Sequence, residues 1–98
     1  MAKLPVPLAF DWDRGNLEKN WQKHKVSQKE AEEVFLNDPV ILEDIRHSQS
    51  ESRLVALGFT NKKRNLYIVF TIRGIRLRVI SARDQSKKER RLYGEKKV

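Results

Sequence analysis

Apolar residues in the second half of the chain follow the period-two pattern of β-strands. Residues 66–71 are predicted to form a strand, and the β-branched and aromatic run at residues 67–70 suits a strand buried on both faces. Gly74 follows at a tight turn, where a hairpin usually needs a residue that tolerates positive φ. A second strand is predicted over residues 75–82, so the two segments should form a hairpin.

Alternation in the second strand of this hairpin separates apolar from charged side chains. It places Leu77 and Val79 on one face and Arg76 and Arg78 on the other. The same alternation places Ser81 and Arg83, at the strand end, on the side of Leu77 and Val79. An arginine held beside a core face is fixed firmly enough to act on a ligand.

The helical pattern of the first half begins after a short strand around Phe10 and Trp12. Asp13 stands at an N-cap position, and the next segment, up to His24, carries Leu17 and Trp21 on the same helical face as that histidine. We assign both tryptophans to packing.

Ser27 and Glu30 have the spacing of a capping box, which predicts the start of a second helix. The segment Asn37-Asp38-Pro39 should end it. Two further strands are predicted over residues 40–45 and 52–59. Near the C-terminus, Ser86 and Glu89 form another capping box and predict a short basic helix over residues 87–93.

The order of elements is a short strand, two helices, a four-strand antiparallel meander and a terminal helix. Helices followed by a run of strands indicate the α+β class. With 98 residues, the chain is predicted to be one domain. Residues 1–9 are expected to be an extended arm because they contain two prolines, and residues 94–98 to be a basic tail.

Positive charge is concentrated at the C-terminal end. Residues 72–98 contain 10 basic and 3 acidic side chains, which is +7 of the formal net charge of +8. Guanidinium groups bind phosphate oxygens through a planar fork, and a local positive field attracts nucleic acid. Because the arginines follow strand periodicity, we interpret them as a phosphate-binding surface; the alternative is a solvated charged face.

Composition excludes several other kinds of chemistry. The chain has no cysteine, so it has neither disulfides nor thiol catalysis, which is compatible with a cytoplasmic location. Its two histidines are not spaced with carboxylates as metal ligands, so we expect no metal and no cofactor. No apolar run is long enough to span a membrane.

The segments described above resemble, in order and spacing, the BrnT family of bacterial toxins from type II toxin–antitoxin pairs. The most specific part is Arg73 followed by the run from Arg78 to Arg83, with Glu89 and Tyr93 beyond it. Earlier elements are Phe10-Asp11-Trp12-Asp13, the run from Asn20 to Ser27, Glu30-Ala31, Val34-Phe35, Asp38-Pro39, Glu51-x-Arg53 and Gly58.

One position departs from the family pattern, because Lys25 stands where the family usually has glycine. If that glycine forms a left-handed helix cap, either Lys25 adopts the same backbone conformation at some cost or the loop differs. This departure affects the placement of the neighbouring Lys23 and His24. It is also the one sequence feature that suggests a degenerate homologue without nuclease activity.

The resemblance implies a fold similar to RelE-type ribonucleases and RNA cleavage without metal. It also implies a small DNA-binding antitoxin, similar to BrnA, that covers the active face. Operator DNA would then be bound only through the antitoxin, and the toxin would form a hetero-oligomer with it. The alternative is a basic nucleic-acid-binding or partner module without catalysis.

Metal-free RNA cleavage needs cations to stabilise the pentavalent phosphate, together with a general acid and a base. We assign Arg73 and Arg83 as the phosphate-stabilising pair, and His24 as general acid or base because histidine titrates near neutrality. RNA-binding roles are assigned to Lys23, Arg53, Arg76, Arg78, Arg90 and Tyr93.

Several of these residues have structural alternatives. His24 could cap helix carbonyls or pack beside Trp21. Glu30 could be a base, but the capping box explains it better. Arg53 could pair with Glu51 across strands, and Tyr93 is as compatible with a core position as with stacking on a base.

Overall fold

A computed structural model describes residues 9–43 and 53–97 of the chain. Three helices and five strands follow one another in this order: β1 (Ala9–Phe10), α1 (Arg14–His24), α2 (Gln28–Leu36), β2 (Val40–Glu43), β3 (Leu54–Phe59), β4 (Asn65–Arg73), β5 (Arg76–Asp84) and α3 (Lys87–Lys97). The predicted element order is therefore confirmed. Residues 1–8 of the predicted arm, residues 44–45 of one predicted strand and residue 52 of the next lie outside the described residues. Ala9, the last residue of the predicted arm, belongs to β1.

The five strands form one sheet in the order β1-β5-β4-β3-β2. Strands β2 to β5 are the predicted antiparallel meander. The sheet as a whole is nevertheless mixed, because β1 pairs in parallel with β5 through Ala9–Arg76 and Phe10–Leu77. Periodicity reveals a strand but not its direction beside a distant partner, so the parallel edge was not predicted.

One face of the sheet packs against α1 and α2. Its core contains buried apolar residues from α2, from four strands and from Val26 between the two helices, with aromatic rings completing the packing. Phe35 of α2 contacts Phe70 edge-on at 5.0 Å between ring centroids and also contacts Phe10. Helix α2 approaches β3 closely at Gly58, because a Cβ there would lie 2.9 Å from Cγ1 of Val34.

The opposite face of the sheet is partly covered by α3. Its smaller cluster consists of buried Val40, Val55 and Leu57, against which Leu92 and Tyr93 of α3 pack. Helix α3 contacts β2 and β3. It therefore lies over one half of this face, and it continues through Gly94 to Lys97, beyond the predicted end of the helix.

The β4–β5 hairpin turns at Gly74 and Ile75, with Arg73 opposite Arg76. Gly74 has φ +62°, as predicted, and no other position of the turn has positive φ, which is the pattern of a type II′ turn.

A β-bulge in β5 changes the direction of the side chains that follow it. Phe70 pairs with Val79 and Val69 with Ser81, so Ile80 is the extra residue. The expected position of Arg83 on the side of Leu77 and Val79 is therefore wrong. Arg83 lies opposite Tyr67, on the other face of the sheet, because one inserted residue reverses the alternation.

Two asparagines of α1 bind the edge of β5 beyond the end of β1. Asn16 Nδ2 donates to the carbonyl of Val79 at 3.2 Å, and the N–H of Ala82 donates to Asn20 Oδ1 at 3.2 Å. Asn20 is consequently buried, whereas Trp21 is 51% exposed with Lys25 Nζ 5.4 Å from its ring centroid. Trp21 was predicted to pack, and this is wrong because α1 presents its amides to the sheet edge.

Candidate functional site

The cross-strand register brings four predicted arginines onto the face of the sheet that α3 half covers. Arg73 lies beside Arg76, Arg78 lies beside Thr71, and Arg83 lies beside Tyr67, all on one side of the β4–β5 hairpin. Arg53 directly precedes β3, and continued alternation places it on the same side as Val55 and Leu57. We call this surface the arginine face, and it consists of Arg53, Arg73, Arg76, Arg78 and Arg83.

Arg83 is held on three sides. Its Nη1 and Nη2 atoms donate to Oε1 and Oε2 of Glu89 at 2.8 and 2.9 Å, and Nη1 also donates to the carbonyl of Asp84 at 3.1 Å. Its Cζ atom lies over the ring of Tyr67, 4.0 Å from the centroid. The guanidinium therefore has a defined orientation at the end of β5.

The hydrogen bonds between Arg83 and Glu89 change the pKa values of both side chains. The hydrogen bonds from Arg83, outweighing burial and supported by the backbone N–H of Ser86, hold the pKa of Glu89 below its ordinary value. The same hydrogen bonds raise the pKa of Arg83. Glu89 is therefore a carboxylate at neutral pH, and Arg83 carries its full charge.

Glu89 also belongs to the predicted capping box of α3. Its N–H donates to Ser86 Oγ at 3.2 Å, and its Oε1 accepts from the backbone N–H of Ser86 at 2.8 Å. The capping box is thus confirmed. No local pattern indicates that the same carboxylate also binds Arg83.

Arg73 and Arg83 do not lie together. Arg73 pairs with Arg76 at the hairpin turn, whereas Arg83 lies seven residues further along β5, which corresponds to roughly 20 Å at the usual rise per strand residue. The two side chains cannot bind a single phosphate in this arrangement. Arg83 is fixed by the contacts described above, and Arg73 lies at the distant end of the arginine face.

His24 and Lys23 lie at the C-terminal end of α1, on the helix-covered side of the sheet. The hydrogen bonds from Arg64 are the main cause that lowers the pKa of Asp84, the residue after Arg83. Side chains of neighbouring strand residues point to opposite faces, so His24 and Arg83 approach the end of β5 from different sides.

Arg64 fixes this end of α1, and sequence analysis did not identify it. Its Nε and Nη2 atoms donate to the carboxylate of Asp84 at 2.7 and 3.2 Å. The remaining donors reach the carbonyls of His24 and Lys25, at 2.9 and 2.8 Å, and Oε2 of Glu30 at 3.0 Å. Five N–H groups thus meet five acceptors from three parts of the chain, which no local pattern could indicate.

Glu30 has the structural role that its spacing predicted. Both hydrogen bonds of the Ser27–Glu30 capping box are present, and Glu30 additionally pairs with Arg64. Partial burial raises the pKa of Glu30, but bonds from the Ser27 backbone and from Arg64 outweigh it, so the net pKa is lowered. This carboxylate is held at a helix start and does not lie on the arginine face.

The other residues predicted to bind RNA differ in exposure and in the partners that they contact. Arg78 pairs with Asp11 through Nη2 and Oδ2 at 3.0 Å, and Arg76 is exposed beside the hairpin turn. Arg90 donates from Nη1 to the carbonyl of Gln85. The ring of Tyr93 contacts Phe59 edge-on at 6.4 Å, which supports the core role left open above.

Within residues 9–43 and 53–97, no group of three or more histidine, aspartate or glutamate side chains is arranged to hold a metal ion. No helix in these same two segments is long and apolar enough to cross a membrane.

The structure is a small mixed α+β sheet protein with five arginines on one face, and comparisons with known proteins identify its family. Residues 12–89 match the family model described as ribonuclease toxin, BrnT, of type II toxin–antitoxin system. The crystal structure of the Brucella abortus ribonuclease toxin BrnT is similar, with a TM-score of 0.64 and 26% identity over 82% of this chain and 99% of that chain. No curated protein matches the sequence.

Because the family model covers well over half of the chain, the protein belongs to the BrnT family of ribonuclease toxins of type II toxin–antitoxin systems. The resemblance inferred from the sequence motifs is therefore confirmed. A toxin of this type has an antitoxin protein as its partner.

Proposed function

We propose that this toxin is an endoribonuclease that cleaves RNA without a metal ion and uses the arginine face as its RNA-binding surface. The observation that carries the proposal is the alignment of Arg73, Arg76, Arg78 and Arg83 along one side of the β4–β5 hairpin. Such a row presents positive charge over the length of several successive phosphates, as single-stranded RNA requires.

Arg83 stabilises the scissile phosphate in this proposal. Attack of a 2′-oxygen on the neighbouring phosphorus builds negative charge on the phosphate oxygens, and an oriented guanidinium lowers the energy of that state. The bonds of Arg83 to Glu89 and Asp84, together with its contact with Tyr67, support this assignment because they fix the guanidinium before RNA arrives. Arg76, Arg78 and Arg73 would hold the flanking phosphates.

A general base must take the proton from the 2′-hydroxyl, and an acid must protonate the leaving 5′-oxygen. His24 remains our candidate for one of these roles, with Lys23 as an adjacent cation. The assignment rests on the chemistry of histidine and on the position of His24 at the C-terminal end of α1, from which it would act across the end of β5, on the side opposite to Arg83.

The antitoxin is proposed to be a small DNA-binding protein similar to BrnA that covers the arginine face. Arginines with positive charge along one surface favour an acidic segment of such a partner, and the same contacts would exclude RNA. Operator DNA would be bound by the antitoxin within the hetero-oligomer. The complex would act in the cytoplasm, where its RNA substrate is found.

The test is cleavage of total RNA by the purified, antitoxin-free protein in the presence of EDTA. Wild type should cleave, and Arg83→Ala should be folded but inactive, with Arg91→Ala as a control that removes an equal charge from exposed α3. Equal cleavage by wild type and Arg83→Ala would reject the role of Arg83. A folded wild type that binds RNA without cutting it would establish a non-catalytic binding module instead.

A further inference from the structure

We propose that Glu89 is a positioning residue, which fixes the guanidinium of Arg83 so that a single edge of it is presented to the scissile phosphate. The inference rests on the proposed ribonuclease function and deepens it, because it assigns a second residue to the same site. Glu89 itself need not touch RNA. It acts through Arg83.

The hydrogen bonds of Arg83 divide its five N–H groups unequally between two edges. The end-on edge is occupied, because Nη1 donates to both Glu89 Oε1 and the carbonyl of Asp84, and Nη2 donates to Glu89 Oε2. Nε–H and the second N–H of Nη2 have no hydrogen-bond acceptor among the described residues. Together they form the side-on edge of the guanidinium.

The side-on edge is a complete binding fork for an oxyanion. In this same protein, Arg64 uses its Nε and Nη2 atoms to bind both carboxylate oxygens of Asp84. Two phosphate oxygens can be bound in the same bidentate manner. Arg83 can therefore hold Glu89 at one edge and a phosphate at the other, without exchanging one for the other.

The carboxylate of Glu89 is itself held in place at the first turn of α3. The Ser86 backbone N–H binds Oε1, the reciprocal cap bond joins Glu89 N–H to Ser86 Oγ, and the carboxylate side chain is only 20% exposed. Tyr67 then covers one flat side of the guanidinium. The guanidinium of Arg83 has thus lost its rotational freedom before RNA binds. The entropy cost of fixing it therefore does not add to the activation free energy.

A positioning role predicts that replacement of Glu89 affects kcat and KM differently. Loss of the Glu89 charge removes a negative group from the site, so RNA should bind at least as well as before. The guanidinium, no longer fixed, should stabilise the transition state less. The expected result is a lower kcat with an unchanged or lower KM.

The test variant is Glu89→Gln in the full-length, antitoxin-free protein. Glutamine suits the third helical position of a capping box as well as glutamate does, so α3 keeps its start. We expect kcat to fall about tenfold to a hundredfold, which is the size of the rate loss that a misplaced catalytic group causes. The matched control is Glu95→Gln, which removes the same charge from an exposed position of the same helix and should leave kcat unchanged.

A second measurement is independent of turnover. In ¹⁵N-arginine NMR spectra, the two Nη groups of Arg83 should give separate signals in wild type, because bidentate binding slows the rotation about the Nε–Cζ bond that interchanges them. They should merge in Glu89→Gln and stay separate in Glu95→Gln. A non-cleavable 2′-deoxy oligonucleotide should shift the Nε–H signal of Arg83 in wild type.

The outcomes distinguish the two proposals. Wild-type kcat in Glu89→Gln, or separate Nη signals in that variant, would overturn the positioning role. Failure of wild type to cleave any RNA would instead reject the ribonuclease mechanism, and the NMR spectra would then decide alone whether Glu89 orients Arg83 toward an oxyanion.

Discussion

The guanidinium of Arg64 binds the carboxylate of Asp84 through two hydrogen bonds, Nε–Oδ1 at 2.7 Å and Nη2–Oδ2 at 3.2 Å. Arg64 lies in the turn before β4 and Asp84 at the end of β5. Because Arg64 also binds Glu30 and the carbonyls at the end of α1, this one side chain joins both N-terminal helices to the strand that carries Arg83.

Replacement of Arg64 by alanine should therefore destabilise the protein. Two carboxylates and two carbonyls lose a charged donor, and we expect the free energy of unfolding to fall by about 2 to 3 kcal/mol, the range for hydrogen bonds with charged groups in a site that is not deeply buried. Urea denaturation measures this loss. Lys62→Ala, in the same turn and exposed, should change stability by less than about 0.5 kcal/mol; an equal loss in both variants would contradict the role of Arg64.

Acidification should destabilise the toxin through three carboxylates. In the folded state the pKa values of Asp84 and Glu89 are lowered mainly by hydrogen bonds from Arg64 and Arg83. The pKa of Glu30 is lowered by hydrogen bonds from the Ser27 backbone and from Arg64, which outweigh its partial burial. The unfolded state therefore binds more protons in the acid range. The stabilisation is fully present above the ordinary pKa values and is lost as pH falls through the lowered ones.

Urea midpoints measured at successive pH values test this sign. Stability should decline below about pH 5 in the wild type. The decline should be shallower in Arg64→Ala, where Asp84 and Glu30 have lost their charged partner. Identical pH dependence in the two proteins would show that Arg64 does not set these pKa values.

Gly58 should not accept a side chain, because α2 approaches β3 at this point. A methyl group there would lie 2.9 Å from Val34 Cγ1 and 3.3 Å from Pro39 Cβ, so Gly58→Ala should cost about 1 to 3 kcal/mol of stability as an overpacked site.

Gly94→Ala is expected to have the opposite effect, because Gly94 lies in α3 with open space around its Cα. It should stabilise the protein by about 0.5 to 1 kcal/mol, and thermal denaturation would reveal both signs.

Lys25 ends α1 in the left-handed conformation, with φ 54° and ψ 39°. This confirms that it adopts the backbone expected for the glycine usual in the family. Lys25→Gly should be more stable than Lys25→Ala by about 1 kcal/mol, because only glycine adopts this conformation without strain. Comparison of these two variants cancels the loss of the Lys25–Trp21 contact; equal stability would mean that the cap carries no strain.

Features specified by neighbouring residues were predictable from the sequence. The capping boxes at Ser27 and Ser86 and the positive φ of Gly74 all occur as their local patterns indicated. The two faces of β3 and of the first half of β5 also follow simple alternation. These features depend on few residues, so tertiary contacts did not alter them.

Features that depend on distant contacts could not be predicted in the same way. The bulge at Ile80 reverses the direction of Arg83, and nothing in the residues around Ile80 signals an insertion. Asn20 is buried instead of Trp21 because an edge strand leaves backbone groups that α1 must bind. Arg64 donates hydrogen bonds to residues that lie 20 to 40 positions away in the chain, and such contacts cannot be predicted from the periodicity of the sequence.

The amides of Asn16 and Asn20 have a consequence for how the toxin behaves without its antitoxin. A sheet edge with free carbonyl and N–H groups recruits strands from other molecules and promotes aggregation. At the exposed end of β5, the carbonyl of Val79 and the N–H of Ala82 are already bound by side chains of the same molecule. Side chains of α1 thus occupy backbone groups that a strand of another molecule would need for pairing. In the toxin without its antitoxin, they hinder sheet-to-sheet polymerisation at this edge.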